Sequence, residues 1–245
     1  IGLISSRLTL EGPIVEDKGA FILSGRRSYA DIFLPLANDP VLDETVLYFY
    51  DLNAKANYRI SDKDRVFLSG YFGRDDFKLG DQFGFDWGNA TATLRWNRIV
   101  NEKLFSNTSL IFSSFDYRVQ IGSTDEGFGI SSNIRDWNVK QDFSYFANSD
   151  NTVKFGVTAI HHTFMPGRLE SSEGIGFNQI ELDDRLALEF GAYIQNEQKI
   201  GNRLSALYGV RYSGFNFMGE GTAFDIDANG NITGTQEFGA WESIK

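Results

Sequence analysis

The chain has 245 residues, a net charge of −10 and no cysteine. That charge argues against nucleic acid, whose phosphates need basic partners, and the lack of cysteine is compatible with an oxidising periplasm. No run of about 18 apolar residues occurs, which excludes a transmembrane helix, while 22 Phe, 10 Tyr and 25 Gly against 4 Pro favour strands.

Apolar and polar residues alternate along successive segments, so the chain is expected to be all-β, with about ten antiparallel strands. Segments 1–13 and 20–31 come first. The second carries Arg26 and Arg27 on opposite faces, which predicts a bulge there or an arginine near a rim. Segment 47–60 is the clearest. Tyr48, Tyr50, Leu52, Ala54, Ala56, Tyr58 and Ile60 share one face, and Asp51, Asn53, Lys55, Asn57 and Arg59 the other. Tyr48 and Tyr58 are ten residues apart, roughly 25 Å along a membrane normal for a strand tilted by about 40°. That is the spacing of two aromatic girdles.

On 87–99, Gly88, Ala90, Ala92, Leu94 and Trp96 oppose Asn89, Thr91, Thr93, Arg95 and Asn97. On 104–121, Ile111, Phe115, Val119 and Ile121 share a face with Tyr117. This segment exceeds the roughly 9–11 residues needed to span, so its upper part is expected to project. On 134–147, Trp137, Val139, Phe143 and Tyr145 oppose Asp136, Asn138, Lys140 and Asp142. The pattern repeats with Val153, Phe155, Val157 and Ala159 on 153–161. On 180–194 it runs through Ile180, Leu182, Leu186, Leu188, Phe190, Ala192 and Ile194. On 203–212, Leu204, Ala206, Tyr208, Val210 and Tyr212 oppose Arg203, Ser205 and Arg211.

Tight polar turns at 16–19, 61–64, 101–103, 148–151 and 199–202 alternate with looser stretches at 32–46, 79–84, 123–131, 169–178 and 219–240. A sheet that turns tightly at one end and loosely at the other has the form of an outer-membrane β-barrel. Ile1 already lies inside an alternating strand and no clear closing strand follows Trp241. The chain is therefore expected to be a piece of a longer protein, because an open barrel leaves unpaired edges in lipid.

Three stretches resemble TonB-dependent outer-membrane receptors. Gly2 through Pro13 with Phe21 through Tyr29 is similar to the early barrel of receptors from the Bacteroidetes group. Leu188 through Glu197 and Leu204 through Tyr212 are similar to the family's strand–turn–strand, in which a Tyr-Ile-Gln strand precedes a Gly-Val-Arg-Tyr strand. The resemblance implies a 22-stranded barrel filled by an N-terminal plug domain, of which 1–245 would be an early barrel part lacking plug and remaining strands. It also implies binding at extracellular loops and import driven through the plug by the TonB complex. The implied partners are outer-membrane lipid, the plug, the barrel-assembly machinery and a surface lipoprotein, with no enzyme activity and no cofactor. A passive porin is the alternative class.

Asp51, Asn53, Lys55, Asn57, Arg59, Arg95, Lys140, Asp142 and Arg211, with Arg7 and Glu11, are expected to face the lumen. Asp225, Asp227, Asn229 and Asn231 match the first oxygen positions of a calcium loop. Its twelfth position holds Gln236 rather than a bidentate Glu, so a hairpin turning at Asn229-Gly230 is the expected form. His161 and His162 are adjacent on a strand and cannot share one metal. Asp75, Asp76 and His161 raise an omptin-like protease, a ten-stranded barrel in which an Asp–His pair activates water. Acidic loop residues Asp39, Asp43, Glu44, Asp125, Glu126, Glu170 and Glu173 read as solvated surface.

Overall fold

The computed structural model describes residues 2–122, 127–171, 180–219, 221–228 and 230–239. Asp125, Glu126, Glu173, Asn229 and Trp241 lie outside the described residues.

Among the described residues the strands are β1 (Ser5–Val15), β2 (Gly19–Ser28), β3 (Val46–Arg59), β4 (Asp64–Leu79), β5 (Phe83–Asn101), β6 (Leu104–Ile121), β7 (Phe128–Asn148), β8 (Asn151–Ser171), β9 (Ile180–Glu181), β10 (Arg185–Ile200), β11 (Leu204–Met218), β12 (Gly221–Ile226) and β13 (Ile232–Phe238). The order is β1 through β8, then β10 and β11, each antiparallel to its neighbour. The two-residue β9 sits beside β8, and β12–β13 is a separate hairpin. Between β2 and β3 lie a 3-10 segment (Ala30–Ala37) and the short helix α1 (Pro40–Asp43), capped by Asp39, which accepts the Val41 N–H at 2.9 Å.

The tight turns fold through their short polar side chains. Asn101 Oδ1 accepts the N–H groups of Lys103 and Leu104, and Asn148 Oδ1 accepts that of Asp150, each replacing a backbone acceptor within the turn. Asp17 and Gly201 take the positive φ angles their hairpins require, 59° and 64°.

Sequence alternation did not single out β4. Its Val66-Phe67-Leu68 and Tyr71-Phe72 put apolar groups on both faces, which erases the period of two. The expected strand 180–194 is interrupted at Leu182–Asp184, so Ile180 belongs to β9 and the continuous pattern begins at β10. No register shift falls at Arg26 or Arg27. The expected bulge is absent, and Arg27 instead sits next to the loop end of β2, its guanidinium 5.3 Å from the Tyr48 ring centre.

The register fixes the tilt of the sheet. One row of paired residues runs Gly19, Tyr58, Val66, Trp96, Thr108, Gln141, Val157, Ala192, Tyr212. It starts two residues beyond Asp17 on β2 and ends ten residues beyond Asn202 on β11, a climb of one residue per strand. At about 3.3 Å per residue and 4.8 Å between strands, this corresponds to a tilt of about 35°, in the range that closes sheets into barrels. Among the described residues β1 pairs with β2 alone and β11 with β10 alone, so these ten strands do not close on themselves.

Directly paired residues point to the same side, so the register also assigns both faces. One carries Leu23, Leu52, Ala54, Leu68, Leu94, Leu110, Trp137, Val139, Val157 and Ile194. Ala187 is the only buried hydrophobic residue among the described residues, and mid-sheet Leu68, Val157 and Val139 are 57%, 56% and 54% exposed. The sheet therefore has no core of its own, and its apolar face needs an apolar surrounding.

Candidate functional site

On β4 the apolar face is bounded by Asp64 and Arg74, with Val66, Leu68, Gly70 and Phe72 between. Ten residues at a tilt of about 35° give a belt about 27 Å high. On β5 it is bounded by Arg98 and Asp86, with Trp96, Leu94, Ala92, Ala90 and Gly88 between. At the turn end Asp64 accepts from the Trp96 indole N–H at 2.9 Å and from Ser61 Oγ at 2.8 Å. The Ser61 bond, then that of Trp96 and the nearby Arg98, hold its carboxyl below the usual value of 3.8.

Toward the turn end of the same face, three polar side chains bond to one another. Thr108 Oγ1 donates to Gln141 Oε1 at 2.6 Å, and Gln141 Nε2 donates to Ser106 Oγ at 2.8 Å. That closed triad is what a lipid-facing surface demands, since lipid offers no hydrogen-bond partners.

The opposite face is polar. All eleven residues expected in the lumen lie on it: Arg7, Glu11, Asp51, Asn53, Lys55, Asn57, Arg59, Arg95, Lys140, Asp142 and Arg211. Several are tied together. Arg26 Nε donates to Asp51 Oδ2 at 2.7 Å, and Asn53 Nδ2 to Asp51 Oδ1 at 3.2 Å. The Arg95 guanidinium lies 4.6 Å from the Phe67 ring centre. Lys140 Nζ stands 3.1 Å from Asp142 Oδ2, and Tyr193 O–H donates to Asp142 Oδ1 at 2.7 Å. The Tyr193 bond crosses Gly156 on β8. A Cβ there would stand 2.8 Å from Asp142 Oδ1 and 2.5 Å from the Gln141 carbonyl oxygen, so glycine keeps the crossing open.

Toward the loop end the two faces exchange character. On β5 the polar face passes from Arg95, Thr93, Thr91 and Asn89 to Trp87, Phe85 and Phe83, while the other passes from Ala90 to Gly88, Asp86 and Gly84. On β6 the polar face carries Asn107, Ser109 and Ser113, then Phe115, Tyr117, Val119 and Ile121. The set Ile111, Phe115, Tyr117, Val119 and Ile121 is therefore not the lipid-type face of 104–121; that face is carried by Leu110 and Phe112. Aromatic contacts continue across this upper inner wall, with ring centres 4.8 Å apart for Phe85–Trp87 and 5.1 Å for Phe215–Phe217. Opposite them, Arg74 forms ion pairs with Asp86 and with Asp116, the latter at 3.2 Å. Sequence reading missed this inner aromatic wall, whose only signal is Phe-Gly-Phe-Asp-Trp continuing one alternation with its polarity reversed.

The two histidines face opposite ways, as their adjacency requires. His162 lies on the polar face, with Nδ1 2.8 Å from Asp136 Oδ1 and Nε2 3.7 Å from Glu189 Oε2, while His161 lies on the apolar face. No group of three or more His, Asp or Glu residues that could hold a metal occurs among the described residues. Asp75 is on the polar face, whereas Asp76 and His161 are on the other, four strands apart. The protease constellation is not assembled, and the ten strands do not form its closed barrel.

In β12–β13, Asp227 N–H donates to Asn231 O at 2.9 Å and Gly230 N–H to Asp227 O at 3.0 Å. The closing pair is Asp227:Asn231, one residue wider than a two-residue turn at Asn229-Gly230, a position that falls partly outside the described residues. The Asp227 carboxylate accepts the Asn231 N–H at 2.8 Å and lies 3.1 Å from its Nδ2, and Asp225 leans over Gly234. The Asp227 carboxylate is thus bonded within its own turn.

No family model and no curated protein matches the chain. Solved structures do. The copper transporter OprC superposes with a TM-score of 0.67 at 10% identity, over 88% of this chain and 37% of that one. BauA, the ferric preacinetobactin receptor from Acinetobacter baumannii, gives 0.59 at 9% over 95% and 48%. The open form of Fiu, the ferric-catecholate import receptor from E. coli K12, gives 0.62 at 13% over 98% and 48%. The chain spans less than half the length of each. At these identities the likeness concerns the fold, and the sheet is part of a transmembrane β-barrel of the architecture these receptors share.

Proposed function

We propose that the chain is a partial barrel domain of a TonB-dependent import receptor in the outer membrane of a Gram-negative bacterium. The apolar face meets lipid, and the polar face, with Asp51, Lys55, Arg59, Arg95, Lys140, Asp142 and Arg211, lines the lumen against a plug domain of the same protein. The TonB complex acts through that plug. Substrate enters between the extracellular loops, past the aromatic inner wall of Phe85, Trp87, Phe115 and Phe215. The protein transports and does not catalyse. The observation that carries the reading is the uncharged belt about 27 Å high on a sheet climbing one residue per strand, together with the likeness to import receptors over nearly the whole chain.

The test is uptake by cells expressing the intact receptor, with and without a working TonB. Substrate uptake lost on TonB disruption is the expected result. Uptake that persists would replace this reading by a passive porin.

A further inference from the structure

Above the belt, the lumen-side face of β3–β7 is apolar along whole rows of the register. One row runs Leu47, Phe77, Phe85, Val119, Ile130, and the next continues from Leu79 on β4 to Phe128 on β7. On β4 these rows lie three and five residues past Arg74, about 8–14 Å above the belt. Neither row carries a charged or hydrogen-bonding side chain. The cations of the same strand ends, Arg74, Lys78 and Arg118, stand on the outer face. The row below holds one charge on these strands, Asp75, and burial pushes its carboxyl above the usual value of 3.8. The Phe77 and Phe83 ring centres are 6.2 Å apart, and Leu47, Phe83, Ile121 and Ile130 remain exposed. Such a surface turned to water is unfavourable until something apolar covers it.

A charged ligand would lose hydration against these rows and find no partner there. An anion is disfavoured further. The loop 29–45, whose Val41 lies against Gly80 at the top of β4, adds four carboxylates and no base. A saccharide would find aromatic rings but no hydrogen-bonding side chain on either row. We propose that this wall receives an uncharged, apolar portion of the imported substrate, which makes the substrate class hydrophobic rather than an anionic chelate or a saccharide. The inference deepens the import reading above and rests on it.

The test photolabels the intact receptor in outer-membrane vesicles with benzophenones of one shape. They are neutral 4-benzoylbenzamide, anionic 4-benzoylbenzoate and a trimethylammonium analogue, each at equal free concentration in water. Mass spectrometry maps the labelled residues. The expected result is labelling of the two rows by the neutral probe, about tenfold or more above either ion. F85K/I130K should reverse the order of the neutral and anionic probes, while N107K at the turn end should change neither. Equal labelling by the neutral and anionic probes, a cation ahead of the neutral probe, or rows that no probe reaches would each overturn the substrate class alone. Substrate uptake that does not need TonB, beside the expected labelling, would instead overturn the import reading and leave the wall's preference in place.

Discussion

Leu94→Arg tests the belt at a defined depth. Leu94 is 49% exposed on the apolar face of β5, four residues above Arg98 and eight below Asp86. At a tilt of about 35° these separations are about 11 Å and 22 Å along the membrane normal, so an arginine there cannot readily reach either boundary by snorkelling. The expected cost is about 2–4 kcal/mol, that of a cation near the bilayer midplane. Thr93→Arg is the matched control, because Thr93 is its neighbour on the polar face between Ser69 and Ile111 and should cost less than about 1 kcal/mol. Guanidinium unfolding of the intact receptor in phospholipid vesicles reads both. Equal losses, or a larger loss for Thr93→Arg, would refute the assignment of faces.

Gly156→Ala would bring a Cβ against the backbone oxygen of Gln141 and should cost about 1–3 kcal/mol in the same assay. Gly88→Ala meets only the side-chain ends of Asp116 and Arg74 at 3.1 and 3.2 Å and should stay within about 1 kcal/mol; similar losses would show that backbone proximity does not decide. Asp225→Ala and Asp227→Ala should leave calcium titrations flat in calorimetry, as in the wild type; micromolar binding abolished by either change would restore the calcium loop. The Asp64 carboxyl, held below 3.8 in the fold, contributes stability above the ordinary carboxylate value that disappears as pH falls through its lowered value. Asp64→Asn should therefore speed amide exchange in the β3–β4 turn at pH 7, and the difference should vanish in strong acid; a difference independent of pH would contradict it.

The strands most legible in the sequence were those whose two faces meet unlike surroundings along most of their length. β3 is the clear case, with Tyr48 to Tyr58 against Asp51 to Arg59. β4 escaped because Phe67 and Tyr71 on its polar face match Leu68 and Phe72 on its apolar face. β6 misled because its upper half stands beyond the belt, where the inner face turns aromatic and the outer face turns charged. Gln141 looks misplaced in an apolar series. Its partners Thr108 and Ser106 lie 33 and 35 residues away, a closeness that only register supplies. The calcium-like spacing of Asp225, Asp227 and Asn231 gave no sign that Asp227 would be spent on its own turn.

Cysteine accessibility along β3 in the intact receptor tests the central claim most directly. Single cysteines at 50, 52, 54 and 56 should resist a small charged thiol reagent in native outer membranes, while those at 51, 53, 55 and 57 react. Alternation in that phase is what a lipid-facing belt and an aqueous lumen require. The opposite phase, or uniform labelling of all eight positions, would contradict a membrane-spanning barrel wall.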